Sequence, residues 1–206
     1  MAKSVLDAPQ RTLRRPVAFD GVGLHTGHDI RLICYPAGEG SGILFLRTDA
    51  HPPVAIPARS RFVTDTARGT VIGIDDKKIH TVEHLLSACT GLGITNLLVE
   101  ITGDECPALD GSAEVYVRRL QNVGITQQIH PVAAFCPDEP VTVTEGSKSL
   151  TAEPSDHLEI SYTLDYPDSF IGRQSAVFNA ARDSYRDEIA PARTYGFMKE
   201  VEALRA

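Results

Sequence analysis

His80-Thr81-Val82-Glu83-His84, followed directly by Leu85-Leu86-Ser87-Ala88-Cys89, sets a carboxylate beside an imidazole at the start of an apolar helical pattern. That pairing suits hydrolysis at a metal. A neutral imidazole nitrogen can hold Zn2+, and a carboxylate can take the proton of an attacking water. At about 100° per helical residue, with Val82 as origin, Leu85, Leu86 and Cys89 fall within roughly 60° of one line, a core-facing stripe. Glu83 and His84 fall at about 100° and 200°, away from the stripe. Thr81 is the predicted N-cap, so both lie in the first turn, where the helix dipole favours ionised Glu83 and neutral His84. Two arrangements are open. In one, His80 and His84 both bind zinc with Glu83 as base, as in HxxEH peptidases, which requires His80 inside the helix. In the other only His84 binds, and the remaining ligands lie elsewhere. An isolated Glu-His pair is most often an ordinary solvated helix start, and a catalytic zinc takes three protein ligands.

The elements around this segment are strand-rich. Ile30, Leu32 and Cys34 alternate with Arg31 and Ile33, and 43–47 and 70–74 are further β-prone runs. His51-Pro52-Pro53 and Pro57 mark irregular or edge structure. Gly21-Val22-Gly23-Leu24-His25-Thr26-Gly27 is a glycine-spaced turn between two strands, without the Lys-Ser/Thr ending of a phosphate-binding loop. A helix is predicted over 81–90, stopped by Gly91-Leu92-Gly93, then a buried strand over 96–101. Asp110-Gly111 is a turn pair, and Ser112 is placed to cap a helix over 113–122 that Gly124 ends. Residues 127–140 carry three prolines and little periodicity and read as a linker. Strands resume at 141–144, 150–153 and 158–165, with helical signal near 183–189 and from Gly196 onward. The run 198–206 ends without a stop residue, which raises the expectation of an incomplete chain.

The 206 residues are 42% hydrophobic with a net charge of −7, which fits a globular protein and speaks against a nucleic-acid surface. An anionic small molecule remains compatible, because a basic pocket can sit on an acidic protein. Cys34, Cys89, Cys106 and Cys136 form no CxxC pair, and 1–10 lacks the apolar core of an export signal. No apolar run approaches a membrane span. A cytoplasmic protein without stable membrane insertion is expected, and a monomer.

Thr81-Val82-Glu83-His84-Leu85 with Gly91-Leu92-Gly93-Ile94 resembles the signature of the UDP-3-O-acyl-N-acetylglucosamine deacetylases, zinc amidases of lipid A synthesis. Three further segments resemble that family in the same order: 21–27, Asp110-Gly111-Ser112-Ala113 and Ala192-Arg193-Thr194-Tyr195-Gly196-Phe197. The resemblance implies an α+β fold of two related two-layer α/β sandwich domains, over 11–126 and 132–206, the second truncated. It implies Glu83 as general base, His84 as a zinc ligand and Thr194 as oxyanion donor. Tyr195, Phe197 and Leu24 are implied near the UDP-linked acylated glucosamine, and Lys148 near its diphosphate, although a hairpin lysine is more often simply solvated. His25 joins the candidates without an assigned role, and Asp110 with a turn-forming one. Arg193 reads as structural. Family members carry two more zinc ligands and a general-acid His beyond this stretch, whereas this chain has no His after Thr194. The expectation is an N-terminal two-thirds that binds zinc poorly and turns over little alone. The alternatives are an HxxEH peptidase and a non-catalytic truncated paralogue.

Overall fold

A computed structural model describes residues 8–132 and 136–198. The protein is a mixture of α and β in which strands dominate. In chain order the elements are β1 (Pro9–Leu13), β2 (Val17–Val22), β3 (Asp29–Pro36), β4 (Ile43–Arg47), β5 (Val54–Pro57), β6 (Val63–Asp65), β7 (Val71–Ile74), β8 (Lys77–Ile79), α1 (Glu83–Gly91), β9 (Leu97–Ile101), α2 (Glu114–Val123), β10 (Ile125–Pro131), β11 (Val141–Glu145), β12 (Lys148–Ala152), β13 (Glu159–Tyr166) and β14 (Gly172–Asn179). The chain divides into two compact units, one of 9–130 with 186–206 and the other of 1–8 with 131–185.

The larger unit is built on a five-stranded sheet, order β2-β3-β9-β4-β5. Its neighbours pair antiparallel except β4 and β9, which run parallel from Ile43↔Leu97 to Arg47↔Ile101. Period-two alternation buries one face: Ile30, Leu32 and Cys34 from β3, then Leu97, Val99 and Ile101 from β9. Along α1 the apolar stripe buries Val82, Leu85, Ala88 and Cys89, while Leu86 is only half-buried. The strongly amphipathic α2 buries Tyr116, Val117 and Leu120. Tyr116 packs on Phe19 of β2 at 4.8 Å between ring centroids, and its hydroxyl donates to the Pro107 carbonyl at 2.7 Å. A second sheet, β6-β7-β8, and the pair β1-β10 complete the unit.

In the smaller unit, β11 with β12 and β13 with β14 form two antiparallel hairpins in continuous register. Among the described residues no helix is long and apolar enough to cross a membrane.

Three expected elements differ. Residues 127–131 are not linker but the second half of β10, because pairing with β1 supplies the backbone partners that the weak periodicity hides. The helical signal near 183–189 condenses to one π turn, Tyr185–Ile189. Ser112 acts one residue early: α2 begins at Glu114, whose amide donates to Ser112 Oγ at 3.0 Å. Strand β14, rich in Gly, Arg, Gln and Ser, carries no pattern that announces it. Of the predicted C-terminal helix only Met198 is described as helical, and 199–206 lie outside the described residues.

Candidate functional site

Helix α1 starts at Glu83, with Val82 in the cap position and no side-chain cap. The predicted cap, Thr81, does something else. Its φ is +57°, in the left-handed region where a β-branched residue is strained by about 1–3 kcal/mol. Its hydroxyl donates to Glu105 Oε1 at 2.9 Å, in place of a helix amide. The chain therefore turns sharply between His80 and the helix. His80 itself sits in a parallel bridge to Glu105, its amide donating to the Asp104 carbonyl at 2.8 Å and its carbonyl accepting from Cys106 at 3.0 Å. His80 and His84 are thus not one helical turn apart, and the HxxEH ligand pair is not formed.

Glu83 and His84 occupy the first turn of α1, both half-buried. The Thr70 amide donates to Glu83 Oε2 at 2.9 Å and orients the carboxylate. A Cβ on Gly69 would stand 3.2 Å from Glu83 Oε1, so the 69–70 backbone lies directly against the acid. Arg68, just before it, has φ +60°.

The loop 102–112 carries Asp110 and hydrogen-bonds to the segments that hold His25 and Thr194. Its Ala108 amide donates to the Val22 carbonyl at 3.0 Å, at the edge of the Gly21–Gly27 turn. Its Gly111 carbonyl accepts from the Thr194 amide at 2.8 Å. Asp110 Oδ1 accepts from the Ser112 amide at 3.1 Å and its hydroxyl at 2.8 Å, closing the turn that seats Thr194. Burial raises the Asp110 carboxyl, but those two hydrogen bonds and nearby Arg193 outweigh it, and the net direction is below the ordinary value. Leu109 (φ +51°) and Gly111 (φ +80°) show how tightly the chain bends there. Of the four non-glycine residues with positive φ among the described residues, Arg68, Thr81 and Leu109 thus adjoin these segments. Such clustering is a mark of functional sites.

Around the loop, Leu24 is 49% and Tyr195 56% exposed, and Tyr195 meets Phe197 edge-on at 6.3 Å. Thr194 and the His25 ring are exposed. Lys148 belongs to the other unit, exposed at the start of β12 opposite Glu145.

One residue escaped the sequence reading. Glu105 is 0% exposed. Its carboxylate accepts from the His25 amide (3.0 and 3.1 Å), the Thr26 amide (2.9 Å), the Thr26 hydroxyl (2.9 Å) and the Thr81 hydroxyl (2.9 Å). Burial alone would raise its pKa; the donors outweigh that and bring it below the ordinary value. Burial pushes the Cys89 thiol up to about 12, and raises Cys106 too, with Glu83 and Glu105 adding to the effect. Neither cysteine is an activated nucleophile.

His84 alone is not a zinc site. Among the described residues no group of three His, Cys, Asp or Glu is placed to hold a metal. A catalytic zinc takes three protein ligands, so the described residues do not fit a complete site by themselves.

Comparison with known proteins agrees with the motifs. Residues 10–206 match the family model described as UDP-3-O-acyl N-acetylglycosamine deacetylase. Relatives named UDP-3-O-acyl-N-acetylglucosamine deacetylase include those of Geotalea uraniireducens (40% identical over 197 residues, 96% of this chain and 64% of the relative) and Saccharophagus degradans (41% over 199, 96% and 66%). That of Myxococcus xanthus is 40% identical over 196 residues, 95% of this chain and 62% of the relative. The chain therefore spans just under two thirds of the length of these curated relatives.

Proposed function

This chain belongs to the UDP-3-O-acyl-N-acetylglucosamine deacetylase family, and from that premise we propose that the whole protein is an amide hydrolase of lipid A synthesis. Its substrate is UDP-3-O-(3-hydroxyacyl)-N-acetylglucosamine, and its products are acetate and the free 2-amine. The observation that carries the reading is the Glu83–His84 pair on the first turn of α1, with Glu83 oriented by the Thr70 amide, in a chain that matches the family from residue 10 onward.

Glu83 is the general base: its carboxylate accepts a proton from the water that attacks the acetamide carbonyl. Thr194, seated by the Gly111 carbonyl, offers its hydroxyl to the oxyanion. Leu24 and Tyr195 offer exposed surface to an acylated sugar, and half-buried Phe197 packs edge-on against Tyr195. The cofactor is Zn2+, with His84 as one ligand, and it supplies Lewis acidity toward the carbonyl when bound. The full architecture is two related two-layer α/β sandwich domains. The four free cysteines suit a reducing cytoplasm.

The test is acetate release from that substrate by the whole protein. The reading predicts stoichiometric acetate and free amine, lost on chelation and restored by Zn2+. Hydrolysis of peptides with the UDP-sugar left intact would contradict it.

A further inference from the structure

Glu105 is a carboxylate removed wholly from solvent, and the donors that reach it are neutral: two backbone amides and two hydroxyls. A buried charge is retained at a cost of several kcal/mol unless its hydrogen bonds are well made. If the loop needed only filling, an apolar side chain would serve better. The donors come from two segments far apart in the chain. Residues 25 and 26 are 80 and 79 positions before Glu105, while Thr81 is 24 before it. Oε1 takes both His25 N–H and Thr81 O–H, so one oxygen joins the glycine-rich turn to the residue just ahead of α1. Space on the turn side is exhausted, since a Cβ on Gly23 would collide with Thr26 Oγ1 and Glu105 Oε2. On the helix side the same carboxylate holds Thr81 in its left-handed conformation, two residues before Glu83.

We propose that Glu105 is a positioning residue: its carboxylate ties the Gly23–Thr26 turn to Thr81 and thereby sets where His25 stands relative to the Glu83–His84 pair. The proposal rests on the reading of Glu83 and His84 as the working pair. It acts through backbone geometry, not contact with substrate. It predicts that a neutral isostere breaks the tie, because a Gln amide would turn N–H groups toward N–H donors.

The test compares wild type, Glu105→Gln, Thr81→Val and Thr81→Ser by NMR of imidazole 1H–15N resonances and amide hydrogen exchange. None of these readouts requires turnover, so failure of the deacetylase assay and failure of this proposal are told apart. In Glu105→Gln the His25 and Thr26 amides should exchange about tenfold faster or more, and the His25 and His84 ring resonances should move. The β3 and β9 amides should keep wild-type protection. Thr81→Val, which removes one hydroxyl and keeps the shape, should move the His84 ring signals, and Thr81→Ser should restore them. Unmoved ring signals in both Glu105→Gln and Thr81→Val would overturn the proposal. So would uniformly faster exchange across β3 and β9 in both, which would make Glu105 a prop of the whole unit.

Discussion

The two compact units use strands in opposite ways. In the larger, alternation along β3 and β9 buries every second side chain, and α2 closes over Phe19. In the smaller, every residue of β11 and β12 is exposed. Yet the β11–β12 register is unbroken, and it sets Val141 beside Ala152 and Val143 beside Leu150, leaving apolar Val143 and Leu150 65% and 76% exposed. A hairpin needs only a turn and matching partners close in sequence, whereas a core needs elements brought together over long separations. Strand alternation thus accompanies a buried sheet in one unit and exposed apolar side chains in the other.

Three measurements press on that contrast. The largest effect belongs to the core: Phe45→Ala should cost about 3–5 kcal/mol in denaturant unfolding, while Leu150→Ala should stay within about 0.5 kcal/mol. Equal costs would erase the distinction. Next, amides of β11 and β12 should exchange about a hundredfold faster or more than those of β3 and β9, read by mass spectrometry after peptic digestion. The smallest effect is acid sensitivity in the larger unit. The folded Glu105 carboxyl titrates below its ordinary value of 4.5, so its contribution is intact above that pH. As pH falls through the lower, folded-state value, that contribution should be lost. Glu105→Gln should flatten this part of the pH–stability curve, measured by thermal melts between neutral and acid pH.

Much of the site was legible because its signals are local. The glycine spacing at 21–27, the Glu83–His84 pair ahead of a 3.6-period stripe and the Asp110-Gly111 turn each declare themselves within a few residues. Both helices follow from periodicity and stop residues, as do β3, β4, β7, β9, β11, β12 and β13, whereas β1, β5, β6 and β8 do not announce themselves. Thr81 misled because a Thr before a helix is normally its cap, and only a tertiary partner, Glu105, diverts the hydroxyl and bends the backbone to positive φ. Glu105 stayed hidden for the same reason. It lies in a short aperiodic stretch, Asp104-Glu105-Cys106-Pro107, and its donors sit up to 80 positions away. β10 was obscured by Pro131 and by glutamines that alternate weakly, and β14 by its polarity.

The most direct measurement is steady-state kinetics of acetate release by the whole protein, wild type against Glu83→Gln. A general base at Glu83 predicts kcat lower by about 10²–10⁴-fold, with KM and the melting temperature little changed. A Glu83→Gln protein that keeps wild-type kcat would contradict the assignment and move the base to another residue.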